Sequence, residues 1–516
     1  MTWVLIKELL IVAILGFLIF RLSEPIADRF SMASDFRRRR NVWFILTFAA
    51  FLSPSFWLYC AIAIPVMLWA GKKDTSPIAL YLLLLHVAPP VPVNIPIIGA
   101  NGLFELNNYR LLSLCVLVPA AYRLRSNSDI RKKRNIDTMD VLLAGWAILH
   151  IAIFIPPDLP NHVILQDSAT NMLRRAFLFV LDVYVVYYVA SRSIVDRRGL
   201  IDAQAAFCVA TAVMAAIAVF EYARHWLLYA DLASFWSENL KAGFYLFRGD
   251  ALRAQASSGH PLALGYLFAI AFGFWLSLKD QVPSTKTRIA VGLVFCSGLL
   301  AAYSRGPWVG ALAIYFVYIA IGPQRLGRIF KSLAIFGCSF GLLLATPLGD
   351  RVISVLPFVG GTVDSGSVTY RESLTSRALE IVEQNPWFGD QLAYQQMEDL
   401  RQGEGIIDFV NTYAEIGVFY GLVGLSLFLL FSVSACARAY RNASYNIRTD
   451  PALGLTGIDI LACLVGTLLM LVSCSFIFGY VQLFYVLTGF ANAYGRFEIH
   501  KGPVSDGMAL QRAALR

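Results

Sequence analysis

Charge is what this sequence has least of: Asp, Glu, Lys and Arg make up 15% of its 516 residues, against 58% hydrophobic residues. A soluble globule carries about a quarter charged residues. With a mean hydropathy of +0.62, a soluble fold is excluded and a polytopic membrane protein is implied. Cysteine offers no framework either. Cys60, Cys115, Cys208, Cys296, Cys338, Cys436, Cys463 and Cys474 all sit within or beside apolar stretches. That placement reads as core packing, and no disulfide pattern or Cys–His zinc spacing appears. No internal repeat is visible, and no polar stretch is long enough for a separate soluble domain. The opening run, MTWVLIKELLIVAILGFLIF, lacks a basic n-region and a small-residue cleavage site. It reads as a retained membrane helix or interfacial segment rather than a signal peptide.

The charge that is present has a pattern. The net +9 would suit a nucleic-acid partner, but its placement argues otherwise. Basic clusters recur at Arg37–Arg40, Lys72–Lys73, Arg123–Arg134, Arg192–Arg198, Lys279–Arg288, Arg325–Lys331, Arg438–Arg448 and the C-terminal tail. Two apolar segments, or a broken pair interrupted at Ser53–Ser55, lie between successive clusters. Basic loops stay cytoplasmic and about 20 apolar residues span a bilayer. The chain therefore predicts an all-α fold with roughly 12–15 transmembrane or re-entrant helices. The whole of 1–516 is expected to be one membrane domain with one large periplasmic loop, about 349–410.

On this zigzag the stretch Ser304-Arg305-Gly306-Pro307 falls at the outer surface, between segments about 288–304 and 308–322. Gly-Pro makes a turn, and an arginine near a membrane end can snorkel to the headgroups. An outward arginine runs against the positive-inside trend, however, and others join it. Arg174 and Arg175 stand at the mouth of one helix. Arg248, Arg253 and His260 precede another, and Arg371 and Arg377 lie in the large loop. Leu374, Ala378, Ile381 and Val382 recur at helical spacing, so 371–384 should be a helix ended by Pro386. Glu415 falls one turn inside a membrane helix, where an ionisable group is costly and a functional candidate. The planar, permanently charged guanidinium binds two phosphate oxygens at once. Several external arginines thus read as a clamp for a lipid-linked phosphate, replacing a divalent metal; no DxD-like metal motif stands at a suitable place. His86, His150, His162 and His225 have no partner legible in the sequence and read as structural or interfacial.

Four segments in order resemble a known set. SSGHPLALGYLFAIAF is similar to a His/Asn-Pro-Asn helix entry, with Leu262 where the second Asn is usual. YSRGPWVGALAIYF resembles a Ser-Arg-Gly segment, SRALEIVEQNPWFGD a loop motif, and FVNTYAEIGVFYGLVGL a motif ending in Glu-x-Gly. Together, over about 170–435, they resemble the O-antigen ligase and polysaccharide polymerase superfamily of bacterial inner-membrane glycosyltransferases. The resemblance implies a GT-C-like fold with its site facing the periplasm. It also implies an undecaprenyl-diphosphate-linked glycan donor and metal-independent transfer without a cofactor. By the same resemblance Arg305, His260, Arg377, Asn411 and Glu415 carry over as site residues. Membrane lipid, a flippase and a chain-length regulator are the partners implied, and nucleic acid is not. O-antigen ligases usually show His-Asn in the last motif, and this chain has Val410-Asn411. That departure favours a polymerase of exopolysaccharide, capsule or O-antigen repeats over a ligase acting on lipid A core or protein.

A general base must lie near the acceptor hydroxyl. Glu415, Asp408 and His260 are the candidates, and sequence does not choose among them. Arg305, Arg253, Arg248, Arg371, Arg377, Arg174 and Asn411 are the expected diphosphate- or glycan-binding residues. A flippase is the rival of another class, but flippases commonly use intramembrane charges and internal repeats, whereas this chain gathers charge on one face. A non-catalytic assembly protein is a further alternative.

Overall fold

The helices begin and end where the local chemistry dictates. Ser55 accepts from the Leu58 N–H (3.3 Å) at the start of one. Asp137 and Asp140 form a capping box at the start of another. Asp450, followed by Pro451, opens a third. Side-chain acceptors at these positions satisfy backbone donors that no helical bond can reach. The computed structural model describes residues 3–31, 33–95, 104–126, 136–153, 155, 169–237, 246–248, 251–323, 325–344, 365–401, 407–477 and 479–497.

In chain order the longer elements are α1 (Trp3–Ala27), α2 (Ala33–Leu52), α3 (Phe56–Lys73), α4 (Pro77–Leu84), α5 (Asn108–Leu112) and α6 (Val118–Ser126). There follow α7 (Thr138–Ala152), α8 (Ala169–Phe179), α9 (Val185–Ser193), α10 (Arg197–Arg224) and α11 (Ala230–Trp236). The second half holds α12 (Pro261–Leu278), α13 (Thr285–Ala301), α14 (Arg305–Ile321), α15 (Arg325–Leu344) and α16 (Ser365–Gln384). It closes with α17 (Ala393–Gln396), α18 (Thr412–Thr449), α19 (Pro451–Met470) and α20 (Tyr480–Arg496). Two π-helical turns, Ser113–Leu117 and Val180–Tyr184, join α5 to α6 and α8 to α9. Strand among the described residues is confined to two antiparallel pairs of two residues each: β1 (Val93–Asn94) with β2 (Glu105–Leu106), and β3 (Phe247–Arg248) with β4 (Ala251–Leu252).

The chain is therefore an all-α polytopic protein. Among the described residues, five helices are long and apolar enough to cross a membrane: α1, α10, α12 with its following 3-10 turn, α18 and α19. The core forms around α10, α12 and α19, whose apolar windows are 78–89% buried, while α1 is 33% buried and lies at the periphery. α19 packs against α18, α14 and α12, and α10 against α13, α4 and α1. Ser53–Ser55 separates α2 from α3; α13 ends at Ala301, and α14 starts at Arg305, earlier than the expected 308, so Arg305, Gly306 and Pro307 form its first turn rather than a turn between the two helices. α16 starts before the expected 371, at Ser365, and buries Leu374, Ala378 and Ile381. The parts of the expected loop at 349–364 and 402–406 lie outside the described residues.

At one end of the bundle basic residues pair off: Arg438 and Arg496 with Asp137 (2.7 and 2.9 Å), and Arg192 with Asp140 (2.6 Å). The fully buried Arg39 is held between Asp74 and Asp202, each at 2.7 Å. α7 carries the chain from Asp137 to His150, and α18 leads from Glu415 to Arg438, so their opposite termini mark the other end. At 1.5 Å per helical residue that second end is about 30 Å away. It is there that the remaining expected residues collect.

Candidate functional site

The arginine end is built from four backbone segments. The first is the approach to α12. Arg253 is buried; its N–H donates to the Leu246 carbonyl (2.8 Å) and its guanidinium to Ser304 Oγ (2.7 Å). The turn that follows hangs on Glu221, a fully buried carboxylate in the last turn of α10. Glu221 accepts from the N–H groups of Leu228 (3.0 Å), Gln255 (3.1 Å) and Ala256 (2.8 Å). Ala256 sits at φ 44, a conformation that L-residues adopt only when their surroundings enforce it. His260 caps α12, its Nδ1 accepting from the Leu262 N–H at 3.1 Å. Burial first, and then the charge of Arg253, push the His260 pKa down to about 4. A neutral ring with Nδ1 as acceptor carries its proton on Nε2.

The second segment is the α13–α14 turn. Tyr303 takes φ 46 and Ser304 is the N-cap residue of α14. Ser304 Oγ does not cap the helix, because it accepts from Arg253 and donates to the Ala302 carbonyl (3.0 Å). The first turn of α14 therefore offers its backbone donors without a side-chain cap. Arg305 is its first residue, with Nε buried and without a hydrogen-bond partner. Among the described residues Arg305 forms no ion pair. At Gly306 a Cβ would lie 2.7 Å from Ser473 Oγ, so a side chain there would displace that hydroxyl.

The third segment is the described part of the large loop. Arg371 is exposed on α16, and Arg377 faces Asp399 (3.2 Å) and Glu380 (3.7 Å) at the surface. Tyr370 Oη donates to the Asp408 carbonyl (3.0 Å) and accepts from its N–H (3.1 Å). The Asp408 carboxylate accepts from the Val410 N–H (3.0 Å) and Ser475 Oγ (3.1 Å). The fourth segment is the start of α18, where Asn411 caps the helix by accepting from Tyr413 and Ala414. Thr412 ties this start to the α19–α20 turn, donating its N–H to Leu471 and Cys474 carbonyls. Cys474 is buried in that turn; burial above all pushes its thiol up to about 12, and Asp408, Glu415 and Arg371 all lie close enough to act on it. Arg305, Arg253, His260, Asp408, Asn411, Glu415 and Arg371 thus sit on neighbouring segments. Arg377 is engaged at the loop surface instead. Arg174 is half-buried on α8, and Arg248 belongs to the backbone of β3.

Two glycines shape this end. α18 is broken at Gly421 (φ 63, ψ −165), and the loop Pro386–Asp390 docks into the break. Leu422 and Val423 N–H groups donate to the Pro386 (2.7 Å) and Trp387 (3.2 Å) carbonyls, and Asp390 N–H to Val418 (2.7 Å). These bonds match backbone groups freed at the break with groups from the loop. A Cβ on Gly421 would lie 2.4 Å from the Trp387 carbonyl, and one on Gly389 (φ 69) 2.3 Å from that of Val418. This contact welds the loop to the helix that carries Glu415.

Beside Glu415 lies a cavity of about 380 Å³ whose wall includes Thr412, Glu415, His150, Tyr420, Arg175 and Asp182. Two side chains of this wall escaped sequence reasoning, Asp182, paired with Arg110 at 2.9 Å, and His150, as did the buried Glu221 of the first segment. Lone charges in VLDVYVV and FEYAR were the available signal for the two carboxylates. Nothing local marks His150. Among the described residues no group of three or more His, Cys, Asp or Glu side chains could hold a metal ion.

Residues 289–429 match the family model described as O-antigen ligase. The matched stretch holds Arg305, Arg371, Arg377, Asp408, Asn411 and Glu415, while Arg174, Arg248, Arg253 and His260 precede it. No curated protein matches the chain.

Proposed function

We propose that this chain, whose residues 289–429 match the O-antigen ligase family model, is a membrane glycosyltransferase that joins lipid-linked oligosaccharide repeats at the periplasmic face of the bacterial inner membrane. The observation that carries this reading is Arg305. It stands at an uncapped helix N-terminus with a buried, unpartnered Nε, beside the buried Arg253–Ser304 pair. Helix N-termini bind phosphate through free backbone N–H groups, and guanidinium supplies the bidentate fork. The donor's diphosphate belongs here, with Arg371 reaching from the loop.

The acceptor hydroxyl attacks the anomeric carbon as the bond from that carbon to the diphosphate oxygen breaks. The electron pair leaves with the polyprenyl diphosphate, whose growing charge the arginines stabilise. The hydroxyl proton passes to a carboxylate. Of the three candidates Glu415 suits this role best. His260 Nδ1 and the Asp408 carboxylate are engaged with backbone N–H groups, whereas Glu415 faces the cavity.

Polymerisation is favoured over ligation by Val410. It holds the place of the usual histidine at φ 49, a left-handed conformation that suits His or Asn far better than a β-branched residue. Val410 thus takes a backbone conformation suited to the histidine it replaces, without the imidazole. The test is the glycan that accumulates in a deletion strain. Single repeats on lipid support the polymerase, while long chains left unattached would make the protein a ligase.

A further inference from the structure

The cavity beside Glu415 is largely apolar, with Ile155, Leu178, Val183, Ile416 and Val481 in its lining, and has two further kinds of wall. One is aromatic: Trp146 lies 5.0 Å from Tyr420, and His150 stacks on Tyr420 at 5.7 Å and 25°. Tyr420 Oη and His150 Nδ1 are bonded at 2.7 Å, which fixes both rings. The other wall is charged, with Arg175, Glu415 and the Arg110–Asp182 pair. Asp182 is turned toward it within a π-helical turn, a local widening that recurs at functional sites.

We propose that this cavity is the subsite for the terminal sugar of the acceptor glycan; the proposal rests on the glycosyl-transfer reading. A sugar ring has an apolar C–H face that an aromatic ring covers and a rim of hydroxyls that charged groups bond. A polyprenyl tail has no such rim, and laying it against Asp182, Arg110 and Glu415 would strip those charges of water without return. The volume falls within the range of small-ligand sites, about 300–1,000 Å³. Position supplies the rest of the argument. Glu415 and Thr412 belong both to this wall and to the helix start that is tied to the Cys474 turn, whose Ser475 bonds Asp408 at 3.1 Å. A sugar seated in the cavity therefore presents its rim hydroxyl to Glu415 while the donor diphosphate lies on the arginine side.

The experiment uses the purified full-length chain, its Trp146→Leu and Tyr420→Phe variants, and the oligosaccharide repeat freed from its lipid by mild acid. Binding of this repeat and transfer from lipid-linked donor are measured separately, with each variant checked for unchanged melting temperature. Trp146→Leu should weaken repeat binding about 3- to 10-fold, the loss of one stacked ring. It should raise the acceptor KM by a similar factor and leave donor affinity unchanged. Tyr420→Phe, which removes only the bond to His150, should give a smaller shift in the same direction. Wild-type binding and KM in both folded variants would overturn the subsite even if transfer is robust. Binding that the variants weaken, in a wild-type protein that transfers nothing, keeps the sugar subsite and overturns the transferase reading instead.

Discussion

Arg305→Lys separates a phosphate-binding arginine from one that only reaches for headgroups. Nε of Arg305 is buried and unpartnered, and a buried unsatisfied donor costs about 1–3 kcal/mol. Lysine keeps the charge and removes that N–H. If the side chain only snorkels, the substitution should leave activity unchanged and stabilise the protein slightly. If the fork grips a diphosphate, lysine loses the bidentate geometry. One lost charge-assisted contact to a developing anion is worth about 2–4 kcal/mol, roughly 30- to 1,000-fold in rate. The assay is polymer formed per correctly inserted molecule, with insertion scored by blot. Arg253→Lys should fall by a comparable factor, because the same change also releases Ser304. Wild-type rates from Arg305→Lys and from Arg305→Ala together would refute the assignment.

His260→Asn retains an N-cap acceptor and should keep stability, whereas His260→Ala should lose about 1 kcal/mol; equal loss of transfer in both would make the imidazole catalytic. His260 is held down to about 4 in the folded protein, below its ordinary value near 6.5. Its contribution to stability is therefore whole above pH 6.5 and lost as pH falls from 6.5 toward 4. Thermal melts of His260→Asn should lack that acid limb. Gly421→Ala and Gly389→Ala force a Cβ into a carbonyl and should each lower the melting temperature and expose the Pro386–Asp390 loop to protease. Equal protease resistance would show that the loop does not depend on this contact. Asp137→Asn breaks the pairs with Arg438 and Arg496 at the opposite end. It should cost about 3 kcal/mol while leaving the turnover of the inserted fraction unchanged; a fall in turnover would mean that the two ends are coupled.

Composition and periodicity alone were enough for the helical membrane character, the α13 and α14 spans, and the buried face of α16, because these follow from hydrophobic patterning along one stretch of chain. The Ser53–Ser55 break and the stop at Pro386 were legible for the same reason. Legible too was a list of candidate arginines. What only the tertiary structure decided is which of them meet. Arg377 is as conspicuous in the sequence as Arg305, yet it faces Asp399 across the loop surface, while Arg305 forms no ion pair among the described residues and stands at an uncapped helix start. Asp182 and Arg110 lie 72 residues apart, and His150 and Tyr420 lie 270 apart, so no local pattern could join them. The break at Gly421 reads in sequence as one more small residue in a long apolar helix. Its purpose depends on the carbonyl of Trp387, brought from a different segment to within a bond of it. Patterning acts between neighbours in sequence; a site is a meeting of segments, and long-range packing alone sets which side chains arrive there.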